Sequence, residues 1–203
     1  MLEQKDIEQA KNLFKEWDLN KVWHSAAPEF IEHSKKKAKN SLNLAIYLRD
    51  KLEQTKELDD NDTVTIWIVT LGYYSMFFEV EYLLSLDGRK LPEGTKDTHK
   101  TIYLAFLYYY VIKGSELEQK KHKEMTTSRM SKVLALLKTL QDETLELQRV
   151  KKSVKDLKTQ REERHALTYK MSRTAEISEA KRSIEKASEF RQLVEECILS
   201  RRR

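Results

Sequence analysis

Glycine and proline are scarce in this chain, with 4 Gly and 2 Pro among 203 residues. A β-sandwich or barrel needs many tight turns, and a Rossmann or P-loop phosphate cradle needs glycines at fixed spacing, so both are excluded. Cysteine is represented once, by Cys197, which leaves no internal disulfide framework and no thiolate metal site. No His-x3-His pair occurs and His24, His33 and His122 lack partners at ligand spacing, so neither a metal nor a cofactor is expected. The residues after Met1 are charged from Glu3 onward, without the apolar run of a signal peptide. The expected location is a reducing cytoplasm. The longest apolar stretch, Val64 to Phe78, spans about 15 residues, short of the roughly 20 a membrane span requires, and reads as a buried core helix.

What remains is an all-α protein, and the periodicity places its helices. Ile7, Ala10, Phe14 and Trp17 form one stripe on a first helix over 2–17. Pro28, followed by Glu29 and Glu32 at the positive end of the helix dipole, opens a second helix reaching about Thr55. Its inward face comprises Ile31, Ala38, Ser41, Ala45, Leu48 and Leu52, small enough in places for close helix approach. The turn Asp59-Asp60-Asn61-Asp62 offers N-caps to a third helix that ends at Asp87, with Gly88 as its left-handed terminator. Pro92 and Gly94 mark a loop, after which Thr98 caps a fourth helix running through Ile112 and closed by Gly114.

Beyond Ser115, Gly and Pro vanish and charges alternate with Leu and Val. Leu140, Leu147 and Val154 recur in a heptad-like seam within a helix extending from about Ser128 to Tyr169. Such a helix would be about 63 Å long at 1.5 Å per residue, so it must protrude, bend or break. A last helix over 178–200 carries Ile184, Ala187, Phe190, Leu193, Val194 and Cys197 on one face.

The segment Gly72-Tyr73-Tyr74-Ser75-Met76-Phe77-Phe78-Glu79-Val80-Glu81-Tyr82-Leu83-Leu84-Ser85-Leu86-Asp87-Gly88 resembles the signature helix of the HEPN (higher eukaryotes and prokaryotes nucleotide-binding) family. Thr98-His99-Lys100 resembles the start of that family's next helix. Arg161 to Tyr169, followed by Ile177-Ser178-Glu179-Ala180, resembles its penultimate-helix motif and closing helix. The resemblance implies an up-and-down helical bundle that dimerises, with an accessory helix over 1–27, the bundle over 28–203 and a helical insertion at about 115–150. Many such proteins are ribonucleases, commonly toxins encoded beside a nucleotidyltransferase antitoxin. RNA, a second copy of the chain and a nucleotidyltransferase are therefore the expected partners, and no membrane is.

The family's active site pairs an Arg with a His across four to six intervening residues, a spacing no Arg and His of this chain share. Here the corresponding Arg164-His165-Ala166-Leu167-Thr168-Tyr169 has Tyr where the His belongs. Metal-free RNA cleavage needs a proton carrier near neutrality and a cation on the phosphate; imidazole titrates near 6.5 and phenol near 10, so Tyr169 alone is a poor base. Arg161, His165 and Tyr169 nevertheless recur every four residues, so one helical face would present guanidinium, imidazole and phenol together. Arg161, Arg164, His165 and Tyr169 are the catalytic candidates. The alternative is an inactive HEPN module serving protein interaction.

Around these residues, Arg149 to Arg173 holds nine basic residues against three acids, a local excess of +6 in a chain whose net charge is +5. Lys151, Lys152, Lys155 and Lys158 in this stripe are the candidate RNA-binding residues, since clustered cations attract a phosphate backbone. The aromatic group Tyr73, Tyr74, Phe77, Phe78, Tyr103, Phe106, Tyr108, Tyr109 and Tyr110 reads as core and dimer packing, and His99 as a capping or surface histidine.

Overall fold

A computed structural model of the chain describes residues 4–54, 61–113, 157–159, 162 and 177–200. Among them are the α-helices α1 (Gln4–Leu19), α2 (Pro28–Gln54), α3 (Asn61–Leu86), α4 (Thr98–Phe106) and α5 (Ile177–Ser200), and residues 157–159 and 162 are helical as well. A π-helical turn, Leu107–Ile112, continues α4 without a break. Among the described residues there is no β-strand; a single antiparallel bridge joins His24 to Lys90. The protein is an all-α bundle. The expected insertion over 115–150, Gly114 and the heptad-like seam lie outside the described residues.

Helix α2 forms where Pro28 pre-sets the backbone of its first turn, and its buried stripe is Ser34, Ala38, Leu42, Ala45 and Leu52. Ile31, Ser41 and Leu48 of the expected face are only half-buried. Small side chains bring α3 close: the Ser75 hydroxyl donates to the Ala38 carbonyl at 3.0 Å, and Ser34 donates to Glu81 at 2.9 Å. These pairs descend along one helix as they ascend the other, so α2 and α3 are antiparallel. Gly72 faces Ser183 of α5, where an added Cβ would stand 2.2 Å from the serine hydroxyl.

Helix α3 closes as the sequence predicts. Gly88 adopts φ 74°, its N–H bonding to the Ser85 carbonyl at 3.0 Å while that of Arg89 reaches Leu84 at 2.9 Å. This is the reciprocal pairing that glycine permits at a helix end. Apolar character runs past Phe78, so that Thr63–Leu86, 24 residues, is long and apolar enough by length and composition to cross a membrane. The apolar stretch legible in the sequence stops at Phe78, before Glu79, and that carboxyl is itself buried. In the bundle this helix packs between α2, α4 and α5.

After Gly88 the chain departs from simple up-and-down alternation. The loop over 87–97 carries it back along α3, held by the His24–Lys90 bridge and by a turn in which Thr95 bonds to the Pro92 carbonyl and Gly94 takes φ 78°. Helix α4 then starts beside Tyr73 and the π-helical turn ends beside Leu83 and Asp87, so α4 and α3 run in the same sense. The N-cap is Asp97, left-handed at φ 51° and without a side-chain cap bond, rather than Thr98, whose hydroxyl bonds back to Thr95. Every residue from Thr101 to Tyr109 is buried. Phe14 of α1 stacks on Tyr108, Phe190 of α5 meets Phe106, and α3 covers the remaining side.

Candidate functional site

Two of the described segments that carry the family resemblance meet at Tyr73 and His99. Tyr73, on the buried face of α3, places its hydroxyl 2.8 Å from His99 Nδ1. The imidazole, half-buried in the first turn of α4, lies against Phe77 at 4.7 Å, Tyr73 at 5.5 Å and Tyr74 at 5.7 Å between ring centroids. His99 is thus a positioned ring, neither a cap nor a free surface histidine. The buried Tyr73 hydroxyl on Nδ1 fixes the orientation of the imidazole.

The candidate catalytic residues Arg161, Arg164, His165 and Tyr169, and the basic residues Lys151, Lys152 and Lys155, lie outside the described residues. Lys158 is described, and its ammonium is 2.9 Å from Asp6 of α1 with both side chains mostly buried. Asp6 also accepts a bond from Tyr103 at 2.9 Å. Beside them Leu157 is buried in the main core, so residues 157–159 stand against α1 and α4. The charge of Lys158 is committed to Asp6.

Most of the aromatic group forms core. Tyr73, Phe77, Tyr103, Phe106, Tyr108 and Tyr109 are buried, while Tyr74, Phe78 and Tyr110 are half-buried against it. Cations lie over several of these rings, including Lys37 at 5.0 Å from Phe78 and Arg89 at 4.0 Å from Tyr109. Tyr109 donates to Asp18 and accepts from the Trp23 indole N–H at 2.8 Å. Burial, and then the bond to Asp18, push its phenol up and hold it protonated.

Two carboxyls on α3 escaped sequence reasoning. Burial raises Glu81 above the usual carboxylate range, against the lowering effect of its bond from Ser34 and of the nearby Lys37, His33 and Lys90. Glu79 is pushed to about 7, chiefly by burial, with Arg191 and Lys35 opposing the rise and Glu195 adding to it. The signal was present: an acidic residue inside a long apolar helix is a candidate for burial, and buried charge is costly. Among the described residues, no group of three His, Cys, Asp or Glu side chains gathers to hold a metal ion. No family model, curated protein or solved structure matches the chain.

Proposed function

We propose that this chain is a HEPN-type helical protein that binds RNA or a nucleotide and works with a nucleotidyltransferase partner in the cytoplasm. The observation that carries this reading is the contact of two of the resembling segments: Tyr73 of the signature helix bonds to His99 of the Thr98-His99-Lys100 start. The activity that goes with it is metal-independent RNA cleavage, with Arg161 and Arg164 as cations and His165 as proton carrier. Lys151, Lys152 and Lys155 would hold the phosphate backbone. Purified protein incubated with mixed single-stranded RNA in chelator, across about pH 5 to 9, tests this. Cleavage abolished by Arg164→Ala supports it, and the absence of cleavage together with salt-insensitive or absent RNA binding refutes it.

The second reading, an inactive HEPN module for protein interaction, is favoured by Tyr169 standing where the family's histidine belongs. RNA binding without cleavage, with activity gained in Tyr169→His, would select it. Either reading includes a homodimer. Leu44, Tyr47 and Trp67 are 46%, 56% and 57% exposed, and the antiparallel register of α2 and α3 sets Tyr47 level with Trp67. Exposed apolar side chains at one level of a helix pair favour self-association. Sedimentation as a monomer at high micromolar concentration would refute the dimer.

A further inference from the structure

Glu79 is a buried carboxyl in the helical seam between α3 and α5. Its side chain is 6% exposed, and among the described residues no donor reaches hydrogen-bond distance of the carboxyl. The nearest cation, Arg191 of α5, has Nε 3.8 Å from Glu79 Oε1 but 3.1 Å from Oε1 of Glu195, one turn further along α5. Lys35 of α2 is the remaining charged group facing it, and its ammonium lies 6.0 Å from the Tyr82 ring centroid. One guanidinium is therefore shared unequally between a buried carboxyl and an exposed one.

We propose that Glu79, Arg191 and Glu195 form a proton-operated latch that sets how firmly the C-terminal half of α5 docks on α3. With the proton on Glu79, the buried group is neutral, Arg191 rests on Glu195, and Phe190, Leu193 and Val194 stay packed in the core. When the proton leaves, a carboxylate without a hydrogen bond remains in an apolar seam. It draws Arg191 off Glu195 and admits water, and α5 opens more often. The direction follows from linkage. The folded chain holds this proton more tightly than the unfolded chain, so the stability it confers is complete at or below the ordinary carboxylate value of 4.5 and is lost as pH rises through about 7.

Amide hydrogen exchange of residues 190–198, corrected for the intrinsic pH dependence of exchange, reads the latch directly. Between about pH 5 and 8, protection of these amides in the wild type should fall by more than tenfold, with most of the loss below about pH 7.5. Glu79→Gln, which cannot ionise, should flatten this dependence. Unchanged protection in the wild type, or the same loss in Glu79→Gln, overturns the proposal. Glu195→Gln supplies a second arm should Glu79→Gln fail to fold. It frees Arg191 and removes a negative charge that helps hold the proton, so the midpoint must move to lower pH; a midpoint that stays fixed or rises overturns the sharing of Arg191.

Discussion

The seam where α3 meets α2 and α5 and the seam where α1 meets α4 and its π-helical turn are built from opposite ends of the size scale. In the first, Gly72, Ser75, Ser183, Ala38, Ala45, Ala180 and Ala187 let backbones approach, and hydroxyls bond to carbonyls across the gap. In the second, Phe14, Trp17, Trp23, Tyr108 and Tyr109 hold the helices apart by rings in edge and stacked contact. Small-residue seams fail when something is added and aromatic seams when something is removed. The two therefore answer to opposite substitutions.

The largest effect expected from this contrast is Phe14→Ala. The ring is fully buried and touches four others, so its removal leaves a cavity costing about 3–5 kcal/mol, measurable by urea denaturation. Gly72→Ala should follow at about 1–3 kcal/mol, because the new methyl collides with Ser183 in a seam that cannot widen without separating α3 from α5. Combining it with Ser183→Ala should recover part of the loss, although the Ser183 carbonyl, 3.1 Å from the built Cβ, still opposes full recovery. A Gly72→Ala variant as stable as the wild type would break the comparison.

Tyr109→Phe leaves the aromatic packing in place but strips the acceptor from Trp23 and the donor from Asp18, for a cost of about 1–2 kcal/mol. It isolates how much of that seam is polar rather than aromatic. The smallest change has the opposite sign. Lys21, two residues past the end of α1, has φ 50°, where the Val22 N–H bonds to the Trp17 carbonyl at 3.0 Å, and an L-residue is strained there. Lys21→Gly should therefore stabilise the fold by about 0.5–1 kcal/mol in the same denaturation assay.

The helices were legible because their signals are local. The α1 stripe of Ile7, Ala10, Phe14 and Trp17, the Pro28 start and the Gly88 stop depend on neighbours within one turn, and each appears in the bundle as expected. What stayed hidden depends on distant segments. The burial of every residue from Thr101 to Tyr109 needs α1, α3 and α5 around α4, and no periodicity can announce a helix covered on all sides. The wider turn after Phe106, which lets Tyr108, Tyr109 and Tyr110 each reach a different partner, is likewise a tertiary outcome. Thr98 resembles an N-cap by residue type alone, whereas the loop returning from Gly88 sets Asp97 at that position. At the candidate site, Tyr73 and His99 were readable as motif members but not as a bonded pair, and Lys158 was readable as a charge but not as the partner of Asp6.

Helix α1 is synthesised well before the segments it packs against. Helix α1 is anchored by bonds that Asp6 accepts from Tyr103, Asp18 from Tyr109 and Lys113, and Asp6 from Lys158, spanning 97, 91, 95 and 152 residues of sequence. The α2–α3 hairpin closes over spans of only 37 and 47 residues. At roughly 5–20 residues per second, α1 therefore waits about 5–20 seconds of synthesis for these partners, with Phe14 still lacking Tyr108 and Tyr109. Loops that close early should shape the nascent chain first, and the N-terminal helix is added to a hairpin made after it.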